Sequence, residues 1–163
     1  MMKRMRSYIV PLALCMATGP VQATAFGQKG AAMTRHASGE FEVKITPQKD
    51  EGIGDPTIGR MSVVKTYHGD LEGDGLAQML AGMAADVKDS GAYVAIERVR
   101  GTLHGKTGSF AVHHRGVMTR GAQDLVIVVI PDTGTDELKG ITGTMTIDIR
   151  DGKHFYGFDY TLP

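Results

Sequence analysis

The chain has no tryptophan, a single cysteine at Cys15 and an even count of 18 basic and 18 acidic residues. Each shortage excludes something. With its one thiol in the N-terminal apolar run, the rest of the chain can build no disulfide framework, thiolate zinc site or cysteine nucleophile. Without a basic excess or a Lys/Arg cluster, nucleic acid is not an expected partner. No serine sits in a Gly-x-Ser-x-Gly elbow and no glycine-rich stretch carries a P-loop lysine, so hydrolase and nucleotide-binding readings have no support. The six histidines show no metal spacing: His113 and His114 are adjacent, and on a strand they point to opposite faces. No metal and no cofactor is expected. Asp70-Leu71-Glu72-Gly73-Asp74-Gly75 starts like a calcium loop, but Ala81 stands where the bidentate glutamate is needed, so it reads as an acidic hairpin turn.

Long apolar runs are missing too. Tyr8 to Ala17 is interrupted by Pro11 and falls short of the roughly 20 residues that span a bilayer. Behind the positive head Lys3, Arg4 and Arg6, and ahead of Ala23-Thr24-Ala25, it reads as a secretory signal cut after Ala25. Lipid attachment at Cys15 is disfavoured because Leu14 is too bulky before the cysteine. The expected location is periplasmic or secreted, with no membrane association after cleavage. Losing three basic residues leaves a mildly acidic mature chain of one-domain size. Phe26 to Ala37, small and polar, reads as a mobile leader, and residues 38–163 as the domain.

What the chain does have is glycine, 22 of them, with alternating apolar and polar residues between. That period is the strand's, at the spacing of a barrel or sandwich. Phe41, Val43 and Ile45 alternate with charges. Strands follow over Arg60–Leu71, Ala92–Leu103, Ser109–Met118, Asp124–Ile130, Ile141–Ile149 and Tyr156–Leu162. Leu76 to Val87 favours helix by propensity. Reading it as strand brings the count to eight, makes every connection a hairpin and lets the sheet close without edges. The expected fold is all-β, an eight-stranded antiparallel up-and-down barrel.

Several stretches carry a resemblance: Lys65-Thr66-Tyr67-His68-Gly69-Asp70-Leu71-Glu72-Gly73, Tyr93 to Val99, Gly101-Thr102-Leu103, Gly108-Ser109-Phe110, His114-x-Gly116 and Gly134-Thr135-x-Glu137-Leu138-x-Gly140-Ile141-x-Gly143. In order and spacing the chain resembles a bacterial domain-of-unknown-function family, number 3224, whose barrel is similar to that of plant allene oxide cyclases and dirigent proteins. The resemblance implies an allene-oxide-cyclase-like barrel and export, and no reaction, because fold does not fix function. The last motif reads as a turn into a strand, its glycines permitting close packing at a barrel corner. The chain departs from the pattern at the helix-like Leu76 segment and at the aliphatic Leu125–Ile130.

The hairpin from Tyr93 to Met118 can be registered from sequence. With His104-Gly105-Lys106-Thr107 as its loop, Gly101 faces Phe110, Val99 faces Val112 and Glu97 faces His114. The apolar face, with Tyr93, Ala95, Val99 and Leu103, then points inward. A slip of one residue would bury Arg98, Arg100 and Arg115. Glu97 and His114 are therefore expected to meet in the lumen, as an acid–base pair if the protein is an enzyme or as a register-fixing pair if it is not. Arg98 and His113 fall on the outer face.

Three functions compete. In the leading one a small, largely apolar molecule binds in the lumen against Tyr93, Glu97, Phe110, Val112, His114 and Tyr160. The second is a cofactor-independent isomerase or cyclase with Glu97 and His114 catalytic. The third is a homo-oligomeric interaction protein, since Leu125–Ile130 carries apolar residues on both faces and calls for cover outside the barrel.

Overall fold

The computed structural model describes residues 33–49, 55 and 57–163. The expected signal, Met1 to Ala25, lies outside the described residues, as does most of the expected leader. Within them the chain forms β1 (Arg35–Pro47), β2 (Ile58–Gly69), β3 (Leu71–Met83), β4 (Gly91–Leu103), β5 (Lys106–Thr119), β6 (Ala122–Val129), β7 (Thr142–Arg150) and β8 (Lys153–Thr161). Each strand pairs antiparallel with the next, and β1 pairs β8 to close the barrel. β1 starts before residue 38: Arg35 to Ala37 pair with β8, and Ala37 is buried, so these three residues belong to the domain rather than the leader.

Turn chemistry fixes the hairpins. His104-Gly105, Arg120-Gly121 and Asp151-Gly152 are two-residue turns with positive φ at both positions, from 47° to 87°. This is the primed turn whose twist matches paired strands. The β6–β7 connection is longer: between these paired antiparallel strands the chain makes a 3-10 turn at Asp136–Leu138 and packs Leu138 and Ile141 into the barrel's end. The glycines of the Gly134–Gly143 motif do permit the close approach expected of them. A Cβ on Gly134 would collide with the Leu138 carbonyl, and one on Gly143 with that of Asp159.

The helix-favouring Leu76–Val87 segment is strand as far as Met83, and Ala84 to Val87 fall in the β3–β4 connection. Gly75, Ala77, Met79 and Ala81 face the lumen and Leu76, Gln78 and Leu80 face out. Paired on both sides with β2 and β4, it follows its neighbours rather than its propensity.

The β4–β5 register corrects the sequence reading. The loop is His104-Gly105 alone, so Gly101 faces Gly108, Val99 faces Phe110, Glu97 faces Val112 and Ala95 faces His114. The shift is an even number of residues, so the inward and outward faces stand as expected. Gly101 makes room for the backbone of β3 at Glu72 and Gly73, not for the Phe110 ring.

Tyr67, Leu71, Leu103, Phe110, Leu138, Ile141, Phe158 and Tyr160 fill the end of the barrel that holds the β2–β3 and β4–β5 turns. The Phe110, Phe158 and Tyr160 rings stack at 5.4 and 5.2 Å. In β6, Leu125, Ile127 and Val129 point inward. Val126, Val128 and Ile130 point outward and are only half-buried, so the described residues supply no full cover there.

Candidate functional site

Above that plug the side chains shrink or shorten, and the lumen opens. Gly75, Ala77, Ala81, Ala95 and Gly116 stand where the other end carries rings and leucines, leaving a cavity of about 440 Å³. Its rim and upper wall carry Met61, Met79, Met83 and Met118, with Ile45 and Ile149, at the end of the β3–β4, β5–β6 and β7–β8 turns. Methionine suits such a wall because its flexible, polarizable thioether adapts to whatever it contacts.

The floor is charged. Lys65, Glu97 and His114 are the buried acidic and basic side chains among the described residues. Glu97 is fully buried and stands at the centre: its Oε2 accepts from Lys65 Nζ at 2.7 Å and its Oε1 from the Tyr67 hydroxyl at 2.8 Å. His114 Nε2 lies 2.9 Å from Oε2. That approach is close but not straight, because Nε2 satisfies no hydrogen-bond geometry with any described residue. Lys65 also donates to the Tyr67 hydroxyl at 3.3 Å and lies over the Phe41 ring, 5.1 Å from its centre.

Two glycines make the arrangement possible. A Cβ on Gly75 would collide with Glu97 Oε1, and one on Gly116 with the Tyr93 ring.

Burial pushes the Glu97 carboxyl up, but the contact with His114 and the Lys65 charge outweigh it and hold it at about 2. Tyr67 goes the other way, raised well above its usual value by burial and then by the Glu97 charge. Tyr93 is raised by the same two causes in the same order.

Of the residues expected at the site, Glu97, His114 and Tyr93 line the cavity. Phe110, Val112 and Tyr160 do not. They are fully buried in the plug below, where the Tyr160 hydroxyl meets His104 Nδ1 at 2.8 Å. They were assigned to the lumen by facing inward, and facing inward says nothing about depth. Arg98 is half-buried rather than free in solvent, donating to the Thr133 carbonyl at 3.0 Å and so holding the β6–β7 connection. Sequence reasoning missed Lys65 and Tyr67. The signal was available: Val63, Lys65 and Tyr67 are two apart in a strand, so a lysine between two inward apolar residues must itself point inward.

The carboxylates of the acidic β2–β3 turn are taken up by backbone N–H groups of β1 and β2. Asp70 Oδ2 accepts from the Ser38 backbone N–H at 2.8 Å, which lowers its pKa, and Glu72 Oε1 accepts from that of Gly69 at 2.7 Å.

The family described as "Protein of unknown function (DUF3224)" matches residues 37–160. A crystal structure of a DUF3224 protein of unknown function from Shewanella oneidensis MR-1 is similar, at 42% sequence identity and a TM-score of 0.73. The similarity covers 80% of this chain and 100% of that one. None of the curated proteins matches.

Proposed function

We propose that this chain, which belongs to the DUF3224 family, binds one small and largely apolar molecule in its barrel lumen. The observation that carries the reading is the cavity of about 440 Å³, whose wall is mostly apolar, with Lys65, Glu97 and His114 gathered at its floor and Gln123 and Asp124 also lining it. This is the usual form of a small-molecule site, a concave apolar surface with a few convergent polar groups. Native mass spectrometry of the protein from its own host, compared with the denatured sample, tests the reading. An added mass lost on denaturation is the expected result. A bare mass from the wild type, unchanged in Ala95→Leu, which fills the lumen, would count against it.

The isomerase or cyclase reading is weaker. A carboxylate held near 2 and already accepting from two donors is a poor general base at neutral pH. Glu97 supports orientation of Lys65 and His114 better than proton abstraction. The likeness to allene oxide cyclases adds a barrel shape to this reading and no chemistry.

Export belongs to the same proposal. Lys3, Arg4, Arg6, the apolar run from Tyr8 and Ala23-Thr24-Ala25 support cleavage after Ala25 and a periplasmic or secreted protein. The intact mass of the host-derived protein should begin at Phe26. A mass retaining Met1 would overturn cleavage.

A further inference from the structure

The floor of the cavity is specific about the kind of polar group it would receive. His114 is buried, lines the cavity, and sets its Nε2 2.9 Å from Glu97 Oε2. A ring lone pair facing that anionic oxygen would be repelled, so the proton sits on Nε2. Lys65 and Glu97 already cancel each other's charge at 2.7 Å. With Nε2 turned to Glu97, Nδ1 is the ring nitrogen left to meet a ligand. It makes no hydrogen bond to the described residues, and it is not sealed off as Nε2 is. Close by on the same wall, the half-buried Tyr93 has a hydroxyl without a hydrogen-bond partner among the described residues.

We infer that the lumen is built for a neutral apolar alcohol, whose hydroxyl pairs with His114 Nδ1 and with Tyr93 or Lys65. The inference rests on the lumen-binding reading and deepens it. An alkane of the same skeleton leaves Nδ1 unpaired in the dry floor. A carboxylate sets a second anion beside Glu97, where Lys65 is already engaged.

Octane, octanol and octanoate, titrated into the full chain and followed by methyl-methionine NMR, separate the outcomes. Met61, Met79, Met83 and Met118 line the cavity and report on it, while Met33 is exposed and serves as the control. Octanol should shift the cavity methionines and leave Met33 still, with an affinity roughly tenfold above both octane and octanoate. His114→Phe should bring octanol down to the level of octane. Should that variant fail to fold, Ala95→Leu replaces it, since Ala95 is the cross-strand partner of His114 and a leucine there fills the floor. It should abolish the octanol shifts. Octanoate binding tightest would overturn the hydroxyl assignment in favour of an anionic head. Equal affinity for octane and octanol would overturn the polar handle and leave lumen binding standing. No methionine shift with any of the three would overturn lumen binding itself.

Discussion

Exchanging Glu97 for glutamine leaves the Lys65 ammonium buried without its counter-ion, and breaking such a pair costs about 3–5 kcal/mol. The change should lower stability by that order in chemical denaturation. Replacing both partners, Lys65→Met with Glu97→Leu, should recover most of the loss, because the desolvation of both charges is then removed. The Glu97 carboxyl also sets an acid limit. Its folded value near 2 lies below its unfolded value of about 4.5, so the stabilisation is complete above the unfolded value and drains away as pH falls through the folded one. Over that window roughly 3 kcal/mol should be lost, read as a falling denaturation midpoint. Tyr67 sets the opposite limit: its folded pKa is raised, so its contribution is present below pH 10 and is lost as pH rises further. Gly75→Ala should disturb the site from behind, since the new methyl occupies the place of Glu97 Oε1.

Among the elements, the two-residue turns and the β3 strand carry opposite lessons about glycine. Gly105 sits at φ +79° with open space around it, so Gly105→Ala should cost only backbone strain, about 1 kcal/mol. Gly82 has ordinary φ and nothing within 4 Å of a Cβ, so Gly82→Ala should stabilise by about 0.5 kcal/mol. Paired denaturation curves check both signs. Much of this level was legible in the residues: the strand period, the X-Gly turns and the inward face of β4 and β5 all follow from local pattern. The β4–β5 register was not, because a four-residue loop and a two-residue loop preserve the same faces, and only φ at His104 and Gly105 separates them. Glu97 and His114 still meet because their side chains reach diagonally across the pair. Depth along the barrel was equally invisible, since it depends on where β6–β7 folds back to plug one end. That is why Phe110, Val112 and Tyr160, which face inward, fall in the plug instead of the open lumen.

At the scale of the molecule, the barrel has two apolar surfaces rather than one. The lumen is the first. The second is the outer wall of β2 to β4, where exposed Val64 pairs with Leu76 and Leu80 with Val94, beside Ile96. The half-buried Val126 and Val128 on β6 are set apart from this band by Arg115 and His113 on the outer face of β5. We propose self-association at this band as a second role of the chain. Sedimentation over a range of concentrations should show a dimer or larger species that Leu80→Lys with Ile96→Lys disperses, and a monomer throughout would remove that role.

Lumen binding is the claim on which the rest depends, and a crystal structure of the protein purified from its own host tests it most directly. The expected result is density for an apolar molecule between the methionine rim and the Lys65–Glu97–His114 floor, its polar end within hydrogen-bond reach of His114 or Lys65. A lumen closed by Met61, Met79 and Met83 folded inward, with no space left above Glu97, would contradict it.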